Sequence, residues 1–232
     1  MADVDTQREA VLEALDNVST RLTDEKSYLT DLDSAIGDAD HGSNMQRGFS
    51  KAAEKRDDFS EMEPHEVVKN IGTTLISNVG GASGPLYGGS IMFASQELEG
   101  GITTESSVAF AEAYLDKVKD RGGAQVGSKT MVDALVPAVH TYKKSVEQDD
   151  LPPLEALAKA VDAAERGVAF TTPIKALKGR ASFLDWRSVG HQDPGATSTL
   201  FIMEELLATA EEYLDGDVVR DARADNAVRR DE

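Results

Sequence analysis

Pro64-His-Glu-Val-Val-Lys-Asn-Ile-Gly-Thr-Thr-Leu-Ile-Ser-Asn-Val79 decides the fold class of this chain. Its large apolar residues, Val67, Val68, Ile71, Leu75 and Val79, return every three or four positions, the period at which side chains share one face of an α-helix. Proline at the front suits the first helical turn, where its missing N–H costs nothing. The same spacing recurs in both directions from this stretch, as in Val11, Leu15, Val18 and Leu22, whereas the alternation of a half-buried strand is hard to find. The pattern predicts helices over about 5–34, 43–57, 64–79, 86–99, 104–121, 129–147, 153–171 and 194–214. Their starts carry capping chemistry: Thr6-x-x-Glu9 reads as a capping box, Pro153 as a first-turn proline, and Asp193-Pro194 as N-cap and N1. The expectation is an all-α domain over 1–214. A charged stretch over 215–232, poor in large apolar residues, is expected to fray.

Composition narrows the chemistry. The 232 residues carry no cysteine, which excludes disulfides, thiolate metal sites, cysteine nucleophiles and iron–sulfur clusters. Any metal must therefore sit on oxygen or imidazole. The formal charge of −18 argues against direct binding of nucleic acid, whose phosphates such a surface repels. A nucleotide has to arrive with its cation or meet a local positive site. The excess of acid suits an ordinary solvated surface and a high-salt cytoplasm equally. No run is long and apolar enough for a membrane span, and the first residues lack the layout of a signal peptide, so a cytoplasmic, membrane-free protein is expected.

Between the helices lie two kinds of connection. Arg56-Asp57-Asp58 and Gln148-Asp149-Asp150 are short and polar, whereas Ile36–Gly42, Gly80–Pro85, Gly122–Gly127, Lys178–Ser182 and Gly190–Gly195 are rich in glycine and small residues. Glycine lets backbone N–H groups approach an anion closely. The first of these connections belongs to Asp31-Leu-Asp-Ser-Ala-Ile-Gly-Asp-Ala-Asp40, four carboxylates around one glycine at the end of a helical pattern. Magnesium favours a few carboxylates in a tight oxygen octahedron and leaves other positions to water and phosphate. Asp33, Asp38 and Asp40 are the candidate ligands, with Asp31 a bystander. His41-Gly42-Ser43-Asn44 follow and open the next helix, where N–H groups point at a phosphate.

Taken in order, Leu32–Met45, Gly80–Gly88, Lys129-Thr-Met-Val-Asp133, Gly179-Arg-Ala-Ser182 and Gly190–Ser198 resemble the L subunit of dihydroxyacetone kinase, the DhaL family, over about residues 9–214. The resemblance implies an eight-helix antiparallel barrel with a nucleotide, ADP or ATP, and two Mg²⁺ ions held by interhelical loops at one end. It implies a separate K subunit that holds dihydroxyacetone covalently and receives the phosphoryl group. In one branch of the family, ADP stays bound and an M subunit rephosphorylates it from the phosphoenolpyruvate phosphotransferase chain. In the other, ATP exchanges and the K and L regions are often fused. A free-standing chain of this length looks more like the first.

Carried over residue by residue, the resemblance makes Asp33, Asp38 and Asp40 the metal ligands. It places His41, Gly42, Ser43, Asn44, Ala82, Ser83, Gly122, Met131, Asp193, Pro194 and Gly195 on the nucleotide, Ala82 and Ser83 at its phosphates and Gly122 and Met131 on the adenine and ribose side. Arg180 lies on what resembles a lid over the phosphates and is the candidate catalytic residue, its planar fork suited to phosphate oxygens. The family commonly reads Leu-Gly where this chain has Leu184-Asp185-Trp186, which puts the lid's shape in question. Two other readings use the same residues: an ADP-dependent regulatory module that contacts a transcription factor, and a metal-dependent phosphate-ester hydrolase. The second fits less well, because no separate nucleophile or general base stands out. Pairing of two copies stays open.

Overall fold

The computed structural model describes residues 2–220, and the rest of the expected tail, 221–232, lies outside the described residues. Among the described residues there is no strand. The α-helices are α1 (Val4–Asp24), α2 (Lys26–Ile36), α3 (His41–Ala53), α4 (Arg56–Phe59), α5 (Pro64–Asn78), α6 (Gly89–Ala94), α7 (Thr104–Gly122), α8 (Met131–Glu147), α9 (Pro153–Thr171) and α10 (Pro194–Tyr213). A π-helical turn over Gly84–Gly88 precedes α6, and 3₁₀ turns cover Ser95–Leu98 and Arg180–Ser188. No helix is long and apolar enough to cross a membrane.

The expected first helix is two. At Glu25 the backbone leaves the helical region (ψ 5°) while its N–H still closes on Arg21 O, and the chain restarts as α2. No glycine or proline marks the break. The cap of α1 also differs from expectation. Asp3 accepts from Thr6 N–H at 2.9 Å, so Thr6 is an interior first-turn residue and not the N-cap. The expected helix over 86–99 is a π turn, a short α-helix and a 3₁₀ turn in succession.

The chain folds as two compact units, and neither is continuous in sequence: one comprises residues 1–26 and 42–123, the other 27–41 and 124–232. The chain passes between them inside α2, inside α3 and again at Gly123-Ala124, in the glycine-rich connection after α7.

In the first unit, Leu12, Leu15, Val18 and Leu22 of α1, Met45 and Phe49 of α3, and Val67, Ile71 and Leu75 of α5 are buried. The expected apolar faces are thus the core faces, with Leu12 in place of Val11. α5 meets the π turn backbone to backbone: a Cβ on Gly72 would lie 2.7 Å from Gly88 O and 2.5 Å from Met92 N.

In the second unit, α8, α9 and α10 share a core of Ala134, Ala138, Leu154, Ala158, Ala160, Val161, Ala164, Val168, Ala196, Leu200 and Leu207. The run of alanines lets helix axes approach closely. Pro137 inside α8 has no N–H for Asp133 O, and α9 comes up against that freed carbonyl at Gly167. A Cβ on Gly167 would collide with Asp133 O and stand 2.9 Å from Ala134 Cα. Beyond α10, residues 215–220 have no regular structure, but the Arg220 guanidinium reaches back to the buried carboxylates of Asp162 and Glu165 on α9.

Candidate metal and phosphate site

Asp33 belongs to the last turn of α2, and Asp38 and Asp40 to the turn that follows it. Carboxylate oxygens of the three lie within 4.8 Å of one another. Asp33 is buried and does two jobs. Its Oδ2 accepts the backbone N–H of Asp40 at 2.8 Å and of His41 at 3.1 Å, which folds the turn back over the helix end. Its Oδ1 lies beside Gly37. Two glycine-like requirements make the turn possible. A Cβ on Gly37 would collide with Asp33 Oδ1 and lie 2.9 Å from its Cγ, and Ala39 takes a left-handed conformation (φ 60°). Asp31 is not part of the cluster. Three carboxylates this close repel, and a hard divalent cation with oxygen preference is the partner that relieves them.

One positive group stands at the cluster. Arg180 Nη2 forms an ion pair with Asp38 Oδ2 at 2.8 Å, from the 3₁₀ turn of the long connection between α9 and α10. That connection packs Ala176, Ala181 and Leu184 on Ile36 at the end of α2, next to the acidic turn. Asp185 has φ 51° and pairs with Lys175 at 2.8 Å, while Trp186 is 71% exposed under the Lys175 ammonium. A backbone with positive φ is what glycine accepts most readily, so Asp185 holds a conformation that suits the glycine expected there.

His41 opens α3, but its ring is buried and used for packing. Nε2 meets Ser198 Oγ at 2.8 Å, joining the acidic turn to the first turns of α10. Burial pushes the imidazole below its ordinary value, against the opposing pull of Asp33 and Asp40. Asp193 caps α10 by accepting from Ala196 N–H at 2.7 Å, and burial pushes its carboxyl up to about 7. Gly195 and Met131 are neighbours: a Cβ on Gly195 would lie 3.8 Å from that of Met131. Among the candidates, then, Asp33, Asp38, Asp40, His41, Met131, Arg180, Asp193, Pro194 and Gly195 belong to the second unit.

Gly42, Ser43, Asn44, Ala82, Ser83 and Gly122 belong to the first. There Asn44 is buried in the first turn of α3, and Gly80 lies against it: a Cβ on Gly80 would be 2.6 Å from Asn44 Oδ1. Arg47, which the sequence reading passed over, donates from Nη2 to Asn44 Oδ1 at 2.7 Å and from Nε to Asn78 O at 2.9 Å. It therefore fixes which face of the amide carries the N–H₂ donor. Its position three residues after Asn44 on a helix was the available signal. Gly81 turns with φ 63°, Ala82 and Ser83 stand at the tip, and Leu86 just beyond touches Gly122.

Residues 35–208 match the family model described as the DAK2 domain. The chain belongs to the DAK2 domain family. Within it this DAK2 chain is of the DhaL type. It is 46% identical over 190 residues to the ADP-binding subunit DhaL of a PEP-dependent dihydroxyacetone kinase of Escherichia coli K12, covering 81% of this chain and 90% of that one. To the ADP-binding subunit DhaL of a PTS-dependent dihydroxyacetone kinase of Lactococcus lactis it is 36% identical over 208 residues, 89% of this chain and 98% of that one. Among solved structures, the dihydroxyacetone kinase of C. freundii in complex with AMP-PNP and Mg²⁺ matches with a TM-score of 0.65 and 27% identity. That match covers 90% of this DAK2 chain and 34% of the other, so the chain spans about a third of that kinase's length.

Proposed function

We propose that this chain is the ADP-binding subunit of a dihydroxyacetone kinase, passing a phosphoryl group to dihydroxyacetone held on a separate K subunit. On this reading an M subunit of the phosphotransferase system rephosphorylates the bound ADP. The observation that carries it is the carboxylate trio with Arg180 beside it. Relatives named as ADP-binding subunits span nearly their whole length on this chain, and a matched kinase structure holds AMP-PNP and Mg²⁺.

Asp33, Asp38 and Asp40 fit two Mg²⁺ ions, which when bound would draw off charge that builds on the phosphoryl oxygens during transfer. Asp33 keeps the turn folded while presenting one oxygen. On this reading Arg180 leaves Asp38 for the phosphate, whose oxygens its planar guanidinium can meet with two parallel charge-assisted bonds. Ala82, Ser83 and the Asn44 amide oriented by Arg47 are assigned to nucleotide phosphate, and Gly122 and Met131 to the base and sugar. Asp193 and His41 act through structure, as the cap of α10 and the tie between it and the acidic turn.

The test is reconstitution. Purified chain mixed with K subunit, M subunit and the phosphoenolpyruvate phosphotransferase components should convert dihydroxyacetone to its phosphate, and ADP should remain with the chain through gel filtration. No product from that mixture or from added ATP with K subunit would overturn the proposal. A chain that binds ADP but captures only a transcription regulator would replace it with the regulatory reading.

A further inference from the structure

Lys129 has no part in the chemistry above, yet among the described residues it is the largest side chain buried almost completely, at 1% exposure. An ammonium is expensive to bury and is kept only where its donors are satisfied. Here all three are used, on backbone carbonyls alone: Nζ donates to Thr171 O at 2.6 Å, to Ile174 O at 3.3 Å, and to His191 O. Thr171 ends α9, and His191 stands two residues before the cap of α10. One cation thus joins the beginning and the end of the connection 172–192.

The acids facing it are Asp133, from α8, and Asp193, from the start of α10. Lys129 itself is held in a left-handed conformation (φ 61°), which a long side chain adopts only when its surroundings fix it. The bonds nearest this grip run across the base of the loop as well: Leu177 N–H to Ser128 O at 3.0 Å, Gly190 N–H to Thr172 O at 2.8 Å, and Asp193 N–H to Thr171 Oγ1 at 3.0 Å. Arg180 lies at the far end of this connection, 64% exposed and touching Asp38.

We propose that Lys129 is a positioning residue for phosphoryl transfer: by clasping both ends of 172–192 it sets where Arg180 stands against the acidic turn. The proposal rests on the role given to Arg180 above. Neither Ala181 nor Leu184, which seat the middle of the loop on Ile36, fixes the spacing of its two ends.

Hydrogen exchange and turnover test it together. In the wild-type chain the Leu177 and Gly190 amides should be protected, against free exchange at the exposed tip. Exchange of those two amides at free-loop rates would overturn the proposal without any variant. In Lys129→Met, exchange over 176–190 should quicken about tenfold or more while α1 and α5 keep their wild-type rates. Turnover in the reconstituted kinase should fall about tenfold, and the loss should not add to that of Arg180→Ala in the double variant. Lys129→Arg, which keeps a donor cation, should recover part of both readouts. Unchanged exchange in Lys129→Met, or fully additive losses, would overturn the positioning role. Normal turnover in Arg180→Ala alone, with altered exchange in Lys129→Met, would instead locate the failure in the assignment of Arg180.

Discussion

Replacing Asp33 by alanine and by asparagine separates its two jobs. In Asp33→Ala the N–H groups of Asp40 and His41 lose their acceptor, and the His41 group is buried. A buried unsatisfied donor costs about 1–3 kcal/mol and a half-buried one less, for a total of about 2–5 kcal/mol. At about 2–4 °C per kcal/mol for a chain of this size, metal-free Tm should fall by about 4–20 °C. Asparagine keeps an amide oxygen for both N–H groups. It loses charge assistance, about 1 kcal/mol, and gains relief from two carboxylates within 4.8 Å, so metal-free Tm should stay within a few degrees of wild type. Scanning calorimetry with chelator measures these values. Repeating the scan with Mg²⁺ and ADP at about a hundred times the wild-type Kd should raise wild-type Tm by the equivalent of about 2.7 kcal/mol and leave both variants unmoved. Equal falls for alanine and asparagine, or a full ligand shift in Asp33→Asn, would refute the division of labour.

Gly37→Ala drives a methyl group into the Asp33 carboxylate and should weaken Mg²⁺-dependent ADP binding about tenfold or more by titration calorimetry, with unchanged affinity contradicting the need for this approach. Gly167→Ala places a methyl on the Asp133 carbonyl, a backbone atom that cannot rotate away, and should cost about 1–3 kcal/mol in urea unfolding. A neutral result there would show that α8 and α9 are not in backbone contact. For Asp193, whose carboxyl rises from 3.8 unfolded to about 7 folded, the folded chain holds a proton that the unfolded chain has released between those values. That contribution is full below pH 4 and is lost as pH rises through 7. Asp193→Asn, which still caps Ala196, should therefore gain stability relative to wild type on going from pH 5 to 8, and a Tm difference constant over that range would mean the carboxylate is ionised throughout.

The helices were legible because their core faces repeat, and α5 kept nearly the span its apolar period marked. What composition could not show was the break at Glu25, where no helix breaker stands, and the division into two units, since each draws on separated stretches of chain. The acidic turn was legible as a cluster because its three carboxylates are close in sequence. Its internal logic was not, because Asp33 as acceptor for two backbone N–H groups and Gly37 as the space beside it exist only once the turn is folded. His41 shows the converse. Its place at the start of a helix suggested a residue on the nucleotide, but nothing in the sequence showed that its buried ring meets Ser198. Lys129 stood in the Lys129–Asp133 motif but was silent, because a lysine in sequence carries no sign of burial and its three partners are carbonyls from other segments.

The central claim is that Asp33, Asp38 and Asp40 hold the cation through which ADP binds. Titration calorimetry of ADP into wild-type chain and Asp40→Asn, each with Mg²⁺ and with chelator, tests it most directly. Asp40 suits this because its side chain is exposed and only its backbone N–H ties the turn. Tight binding by wild type that collapses on chelation, and weak binding by Asp40→Asn in either buffer, is the predicted result. ADP affinity that ignores chelator, or an Asp40→Asn chain that binds as wild type does, would contradict it.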